Sequence, residues 1–338
     1  MATSQAQREG FLALLDEFTA LIRDTFLGAI AHIRSRTILS NLIARLERND
    51  AEGAVQTIGL DTAAFNLMLD QIAAAYGAGG GKANDQLPIL RDTEGFRINV
   101  RFDVRNPAAE AWLRSNGATL VREIVDDQVG MLRQILAEGQ ASGKSVRAIA
   151  LDMIGKINKT TGAREGGAIG LTSVQEQWAK AYEAELQSLN RNALTRALRD
   201  RRYDKALLRA IESGKPIPAD KVAKMATAYR NRLLQYRGET IARTETLTAL
   251  NAGRDEAMRQ AVASGAVPGN LVDQKWHTTM DGRERDSHAS LNGQVVPFGQ
   301  PFISGDGNRL RYPGDPQAPI SEVANCRCSK TFLIRKAS

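Results

Sequence analysis

Trp276-His277-Thr278-Thr279-Met280-Asp281-Gly282-Arg283-Glu284-Arg285-Asp286-Ser287-His288, continued by Leu291-Asn292-Gly293 and closed by Asn325-Cys326-Arg327-Cys328, is the stretch on which the reading of this chain turns. It gathers two of the three histidines, both cysteines and one of the three tryptophans of a 338-residue chain. Asp281-Gly282 and Asn292-Gly293 are tight-turn signals, because these residues tolerate the left-handed backbone that such turns need. Gly305-Asp306-Gly307 and Pro313-Gly314-Asp315-Pro316 mark further loops. The spacing predicts short strands and turns beyond about Leu271. What lies ahead of them has the periodicity of helices.

That helical pattern starts with Phe11, Leu14, Leu15, Phe18, Leu21, Ile22, Phe26, Ile30 and Ile33, which recur every three or four residues. A second helix is expected over Ile38 to Leu46, and a third from an N-cap at Asp61 through Tyr76. Gly77, Gly79, Gly80 and Gly81 predict the end of that helix and a flexible linker over 77–94. Phe96, Ile98, Val100, Phe102 and Val104 alternate with polar residues, the period of a half-buried strand. Asn106-Pro107 should open a short helix that Gly117 closes, followed by a longer helix from about Thr119 to Glu138. Gly139 is expected as a C-cap, and Ser145 as the N-cap of a helix through Ile154. Ser173 with Glu176 three residues on suggests a capping box. After Pro216-Ile217-Pro218 a helical pattern leads through Gly238 to about Val262 and stops at Gly265. The fold class is α+β, mainly α, with long helices and a small C-terminal strand-and-loop domain. The expected division is an N-terminal helical arm at 1–76, a Gly-rich linker at 77–94, a central helical region with one strand at 95–237, and an α+β domain at 238–338.

The formal charge of +7 is compatible with nucleic acid or an acidic partner, although charge informs association rather than fold. Two cysteines in so long a chain argue against a disulfide framework and for a reducing compartment. The opening Met1-Ala2-Thr3-Ser4-Gln5 has no basic segment followed by an apolar core, so no signal peptide is expected. No apolar run approaches the roughly 20 residues of a membrane helix, so no membrane partner is expected.

Several groupings carry chemistry on paper. His288, Cys326 and Cys328 can supply three ligands of a zinc site, with His277, Asp281 or Asp286 as a fourth. Cys326 and Cys328 would share one face of a strand, but a lone C-x-C also describes two small apolar residues packed beside a hydrogen-bonded His288. A Cys326 nucleophile with His288 or His277 as base is a second arrangement. Arg283, Arg285, Arg309, Arg311 and Arg327 can bind phosphate, or bridge Asp281, Asp286, Asp306 and Asp315. Gly139-Gln140-Ala141-Ser142-Gly143-Lys144-Ser145 resembles a phosphate-binding loop but is one residue short and follows a helix rather than a strand. The basic run from Arg191 to Arg209 reads as a solvated helix face or as a contact for DNA phosphates. Glu239 and Arg243, four apart in the acid-first order, read as an intrahelical ion pair. The functional alternative makes Arg243 and Glu245 polar anchors for the C-terminal segment.

Arg243-Thr244-Glu245 on a helix, then Trp276, Asp281-Gly282-Arg283-Glu284-Arg285, His288, Leu291-Asn292-Gly293 and Asn325-Cys326-Arg327-Cys328, together resemble the phage minor head proteins of the Mu protein F-like, or head morphogenesis, family. The resemblance covers about Gly139 to Phe332 and is strongest after Gly238. Its motif positions in this chain are Arg243, Glu245, Trp276, Asp281, Arg283, Arg285, His288, Gly293, Asn325, Cys326 and Cys328. Where such proteins often carry His-Pro ahead of Asn-Cys-Arg-Cys, this chain has Val323-Ala324, which removes a potential metal ligand. The resemblance implies a non-enzymatic minor capsid protein made in the host cytoplasm. It would lie inside the head near the portal, act in procapsid assembly or in DNA packaging and delivery, and need no cofactor unless zinc is bound. Its implied partners are the portal protein, the major capsid or scaffolding protein, and phage DNA, with the N-terminal helices as the docking element. The alternative is a metal- or phosphate-dependent enzyme, nuclease- or transferase-like, using the C-terminal His/Cys/Arg cluster. A third reading is a DNA-binding module.

Overall fold

A computed structural model describes residues 4–335 apart from 86, 88, 89, 92, 93 and 99. In chain order the elements are α1 (Ser4–Arg36), α2 (Leu39–Glu47), α3 (Ala51–Ile58), α4 (Asn66–Asp85), β1 (Leu90–Arg91), β2 (Arg97–Ile98), α5 (Pro107–Ala141) and α6 (Val146–Ile154). There follow β3 (Lys156–Ile157), β4 (Arg164–Glu165), α7 (Ser173–Gln187), α8 (Asp204–Ser213) and α9 (Ala219–Ala263). The C-terminal part holds β5 (Val272–His277), α10 (Asp286–Ala289), β6 (Val295–Pro297), β7 (Phe302–Ile303), β8 (Arg309–Leu310), α11 (Ile320–Val323) and β9 (Ser329–Ile334). The class is α+β and mainly helical. The expected strand-and-loop character after Leu271 is what the C-terminal part shows: β6-β5-β9 form an antiparallel sheet and β7-β8 a hairpin.

These elements group into two compact units that do not follow the expected division. One comprises Met1–Asp24, Leu67–Thr119 and Glu239–Ser338; the other comprises Thr25–Asn66 and Leu120–Gly238. The first part of α1 is therefore no separate arm. Its Phe11 is 2% exposed, and the Arg254 guanidinium lies 5.0 Å above its ring.

The first half of the supposed linker, 77–85, is helix. α4 continues through Gly77, Gly79, Gly80 and Gly81 to Asp85. Gly79 and Gly80 serve packing rather than flexibility. A Cβ on Gly79 would stand 2.3 Å from the Leu250 carbonyl oxygen, and one on Gly253 would stand 2.0 Å from that of Tyr76. α4 and α9 thus meet backbone to backbone, which a side chain at either position would prevent. Gly80 likewise leaves room for the Phe102 ring, which packs on Tyr76 at 5.8 Å.

Gly117 does not close a short helix either: α5 runs unbroken from Pro107 to Ala141. Its start is as expected, with Asn106 Oδ1 accepting from the amide of Ala108 at 3.0 Å. The helix ends not at Gly139 but before Gly143, whose φ is +67°. Gly139 instead lies in the helix under Ile149. The strand expected over Phe96 to Val104 shrinks to Arg97–Ile98, paired with Leu90–Arg91, and Phe96 is 67% exposed. Residue 99 lies outside the described residues, as do five positions of the expected linker.

In the second unit Ser145 caps α6 as its sequence suggests, accepting from Ala148 N at 3.2 Å. The capping box of α7 stands one residue earlier than expected, formed by Thr172 and Gln175. The Gly-rich loop over 163–172 is fixed by buried polar side chains. Arg34 donates to the carbonyls of Gly167 and Ile169, and Arg237 to that of Gly170 at 3.1 Å. Gln128 accepts from the Gly170 amide at 2.6 Å and donates to the Leu171 carbonyl. Buried loop carbonyls that neither helix nor sheet serves need such partners. Three of the seven basic residues in the run beyond this loop pair within the unit: Arg196 with Glu185, Arg199 with Asp204, and Arg202 with Asp200.

Candidate functional site

α9 is the rail on which the C-terminal strands and loops are mounted. Thr240, Thr244, Thr248, Asn251 and Asp255 recur at four, four, three and four residues, which keeps them on one helical face. Each meets the C-terminal segment. Thr244 Oγ1 accepts from the Asn325 amide at 3.1 Å, and Thr240 Oγ1 lies 3.4 Å from Asn325 Nδ2. Thr248 donates to the Gly314 carbonyl at 2.8 Å and Asn251 to that of Pro313 at 2.9 Å. Asp255 meets the ammonium of Lys330 at 2.6 Å, with Gln274 Oε1 3.0 Å away on the other side. Lys330 is fully buried, and burial pushes its pKa down while Asp255 pulls it back up. The proposed anchors Arg243 and Glu245 are not part of this row. Arg243 pairs with Glu239 at 3.2 Å, as its spacing suggests, and Glu245 accepts from Asn116.

Strand β5 pairs with β9 in the register Trp276↔Lys330 and His277↔Ser329. Successive side chains on a strand face opposite sides, so Trp276 and His277 part company. Trp276 is fully buried and meets the rings of His288 (5.7 Å) and Phe302 (5.1 Å) edge to face. His277 hydrogen-bonds Thr331 Oγ1 at 2.9 Å and stands outside the cysteine cluster. Burial, followed by the charges of Lys275, Arg8 and Arg254, pushes its pKa down to about 4. Gly293, at φ +81°, returns the chain so that its amide meets the Trp276 carbonyl at 2.9 Å.

His288 stands on the single turn of α10, its carbonyl fixed by Thr278 Oγ1 at 2.8 Å. Its Nδ1 faces both thiols, 3.6 Å from Cys326 Sγ and 3.5 Å from Cys328 Sγ. Its Nε2 lies 2.8 Å from Glu322 Oε2. Glu322 is itself buried and accepts from Ser287 (3.0 Å), Ser304 (2.9 Å) and Asn308 (2.8 Å). Burial would raise the Glu322 pKa, but these hydrogen bonds and the neighbouring His288 hold it below the usual range. The two thiols polarise each other. The hydrogen bond from Cys326, with His288 beside it, lowers Cys328, while the same contact and burial raise Cys326.

Asn325 explains how Cys326 and Cys328 come to point at one nitrogen. Its φ of +55° is left-handed, a conformation asparagine bears better than most residues, and it turns the chain out of α11 into β9. The arginines of the motif hold loops. Arg285 donates to the Ala324 carbonyl, and Arg327 forks onto Asp281, which Arg283 also meets at 3.2 Å. Arg327 first, then the Arg283 amide, holds Asp281 well below the ordinary carboxylate range. Arg311 closes on Asp315 rather than on an exposed anion.

Of the residues singled out in the sequence, the structure joins Trp276, His288, Asn325, Cys326 and Cys328. Asp281, Arg283 and Arg285 form the rim, while Arg243 and Glu245 fall elsewhere. Among the described residues, His288, Cys326 and Cys328 are the group whose ligand atoms lie within 4.8 Å of one another. His277 and Asp281, weighed as fourth ligands, are engaged with Thr331 and Arg327. Glu322, Ser304, Asn308 and the α9 threonines went unread. The threonine row was visible as a helical period, but a lone glutamate in the single turn of α11 announces nothing until the fold carries it to His288 Nε2.

No curated protein and no solved structure matches the chain. Residues 168–331 match the family model described as Phage Mu protein F like protein. That span begins in the Gly-rich loop, includes the row on α9, and ends in β9 beyond both cysteines. Through this region, just under half of the chain, the sequence matches the phage Mu protein F-like family.

Proposed function

We propose that this protein is a phage head morphogenesis protein: a minor capsid component inside the head, associated with the portal and acting in procapsid assembly or in packaging and delivery of DNA. The observation that carries this reading is the family match over residues 168–331, which takes in every residue of the buried cluster. The geometry supports a structural part for that cluster. His288, Cys326 and Cys328 are 1%, 2% and 3% exposed, and the cavity beside them measures about 20 Å³. That is room for one water, whereas ligand sites generally occupy hundreds of Å³. Among the described residues no helix is long and apolar enough to cross a membrane. The portal protein is the first partner to test, then the major capsid or scaffolding protein. DNA contact is compatible with the charge of +7, although three of the seven basic residues over 191–209 are paired with neighbouring acids.

The test is co-expression of the full chain with the portal of its own phage, followed by isolation through a tag on the portal. The expected result is a complex that survives gel filtration, with fewer copies of this chain than a capsid shell would hold. A full chain that associates with neither portal nor procapsid overturns the reading. Cleavage of nucleic acid by the purified chain, lost on His288→Ala, would instead favour the enzymatic alternative. Deleting 1–76 is not a clean test of docking, because residues 1–24 and 67–76 are built into the same unit as the C-terminal strands.

A further inference from the structure

We propose that His288 Nδ1, Cys326 Sγ and Cys328 Sγ together hold one zinc-type divalent cation, as a structural centre locking the Asn325–Cys328 turn onto α10. The distances fit this assignment. Bonds of about 2.3 Å to sulfur and about 2.0–2.1 Å to nitrogen, at a tetrahedral angle, separate S from N by about 3.6 Å. The observed separations are 3.6 and 3.5 Å. Hydrogen bonding alone accounts for this arrangement poorly. A neutral imidazole nitrogen has one in-plane lone pair, so with Cys326 donating to Cys328 and Cys328 to Nδ1 the 3.6 Å approach of Cys326 Sγ to Nδ1 goes unused, whereas a cation would draw on both sulfurs.

The far side of the ring is arranged to match. Glu322 Oε2, 2.8 Å from Nε2, places its charge where it favours the tautomer protonated there, which leaves the Nδ1 lone pair on the side of the sulfurs. Ser287, Ser304 and Asn308 hold that carboxylate in place. A carboxylate behind a ligating histidine is the usual outer support of a zinc site, and it stands where the sequence offered no second histidine. The remaining coordination position opens on the cavity of about 20 Å³ lined by Thr279, Arg285 and Asn325, which accommodates one water. Two thiolates and an imidazole select zinc over magnesium or calcium, whose preferred ligands are oxygens. Three protein ligands and a water are also the donor count of catalytic zinc sites, but ligands only 1–3% exposed beside so small a cavity leave a substrate no room, which suits a centre that stabilises.

The experiment uses the full chain, purified under reducing conditions with zinc supplied and then dialysed metal-free. Mass spectrometry for metals should give one zinc per chain, and near none in the Cys326→Ser/Cys328→Ser double variant. Replacing zinc with cobalt should give the intense visible spectrum of a tetrahedral thiolate site, a readout that needs no variant to fold. Glu322→Gln should keep the stoichiometry at saturating zinc but weaken affinity by about 10–100-fold. A wild-type chain holding only trace metal and giving no thiolate–cobalt absorption overturns the proposal. So does zinc that stays fully bound in the double cysteine variant.

Discussion

Asn325 shows how much one residue contributes to this fold. It supplies a left-handed φ, an amide to Thr244 and a side chain near Thr240. Asn325→Ala should lower stability in urea denaturation by about 1–2 kcal/mol, because alanine bears that φ poorly. Asn325→Gly should cost less, since glycine adopts the conformation freely. Equal losses for the two would contradict the conformational role. His277 makes a separate prediction in pH. Its pKa is about 4 in the folded chain against an ordinary 6.5, so the unfolded chain takes up the proton first. The native state should therefore lose stability as pH falls from about 6.5 towards 4, with no effect from this group at higher pH. His277→Gln should flatten that part of the Tm-versus-pH curve; an unchanged slope would assign it to other groups. At this scale the sequence was informative about chemical type and silent about neighbours. Rarity and turn chemistry singled out His288, Cys326 and Cys328, whereas Glu322 acquires its meaning only from a contact 34 residues away in the chain.

The helices α4 and α9 carry the next lesson. Their contact depends on Gly79 and Gly253, so Ala at either position should destabilise by about 1–3 kcal/mol through forced separation of the backbones. Gly81→Ala, where nothing stands within 4 Å, should instead stabilise by about 0.5–1 kcal/mol through helix propensity. Thermal melts of the three variants would separate packing from flexibility; a uniform gain would restore the linker reading. On α9, Asp255→Ala should be worse than either glycine change, by about 3–5 kcal/mol overall, because Lys330 would be left buried without its carboxylate. Asp255→Leu with Lys330→Met should recover part of that loss. Helices were legible wherever apolar residues kept a period of three or four. They were misjudged at Gly77–Gly81 and Gly117, where a glycine that ends a helix looks the same in sequence as one that lets another helix approach. The half-buried strand failed for a related reason: alternation from Phe96 to Val104 was present, but among its described residues only Arg97 and Ile98 have a partner strand.

For the molecule as a whole, the boundaries follow contacts rather than chain order. The C-terminal strands share a compact unit with residues 1–24 and 67–119, so a fragment of 238–338 should not melt cooperatively by itself, whereas the full chain should. A folded fragment with a sharp transition would return the division to one drawn along the sequence. The buried row on α9, the fork of Arg327 on Asp281 and the cluster around His288 all hold the C-terminal loops in place, which is what a head component built to persist in an assembly requires. The most direct measurement is quantitative mass spectrometry of procapsids and DNA-filled heads purified from the phage that encodes this chain. The account predicts the intact chain in both, at a few copies for each portal ring. Its absence from both particles, with the chain free in the lysate, would contradict the assignment.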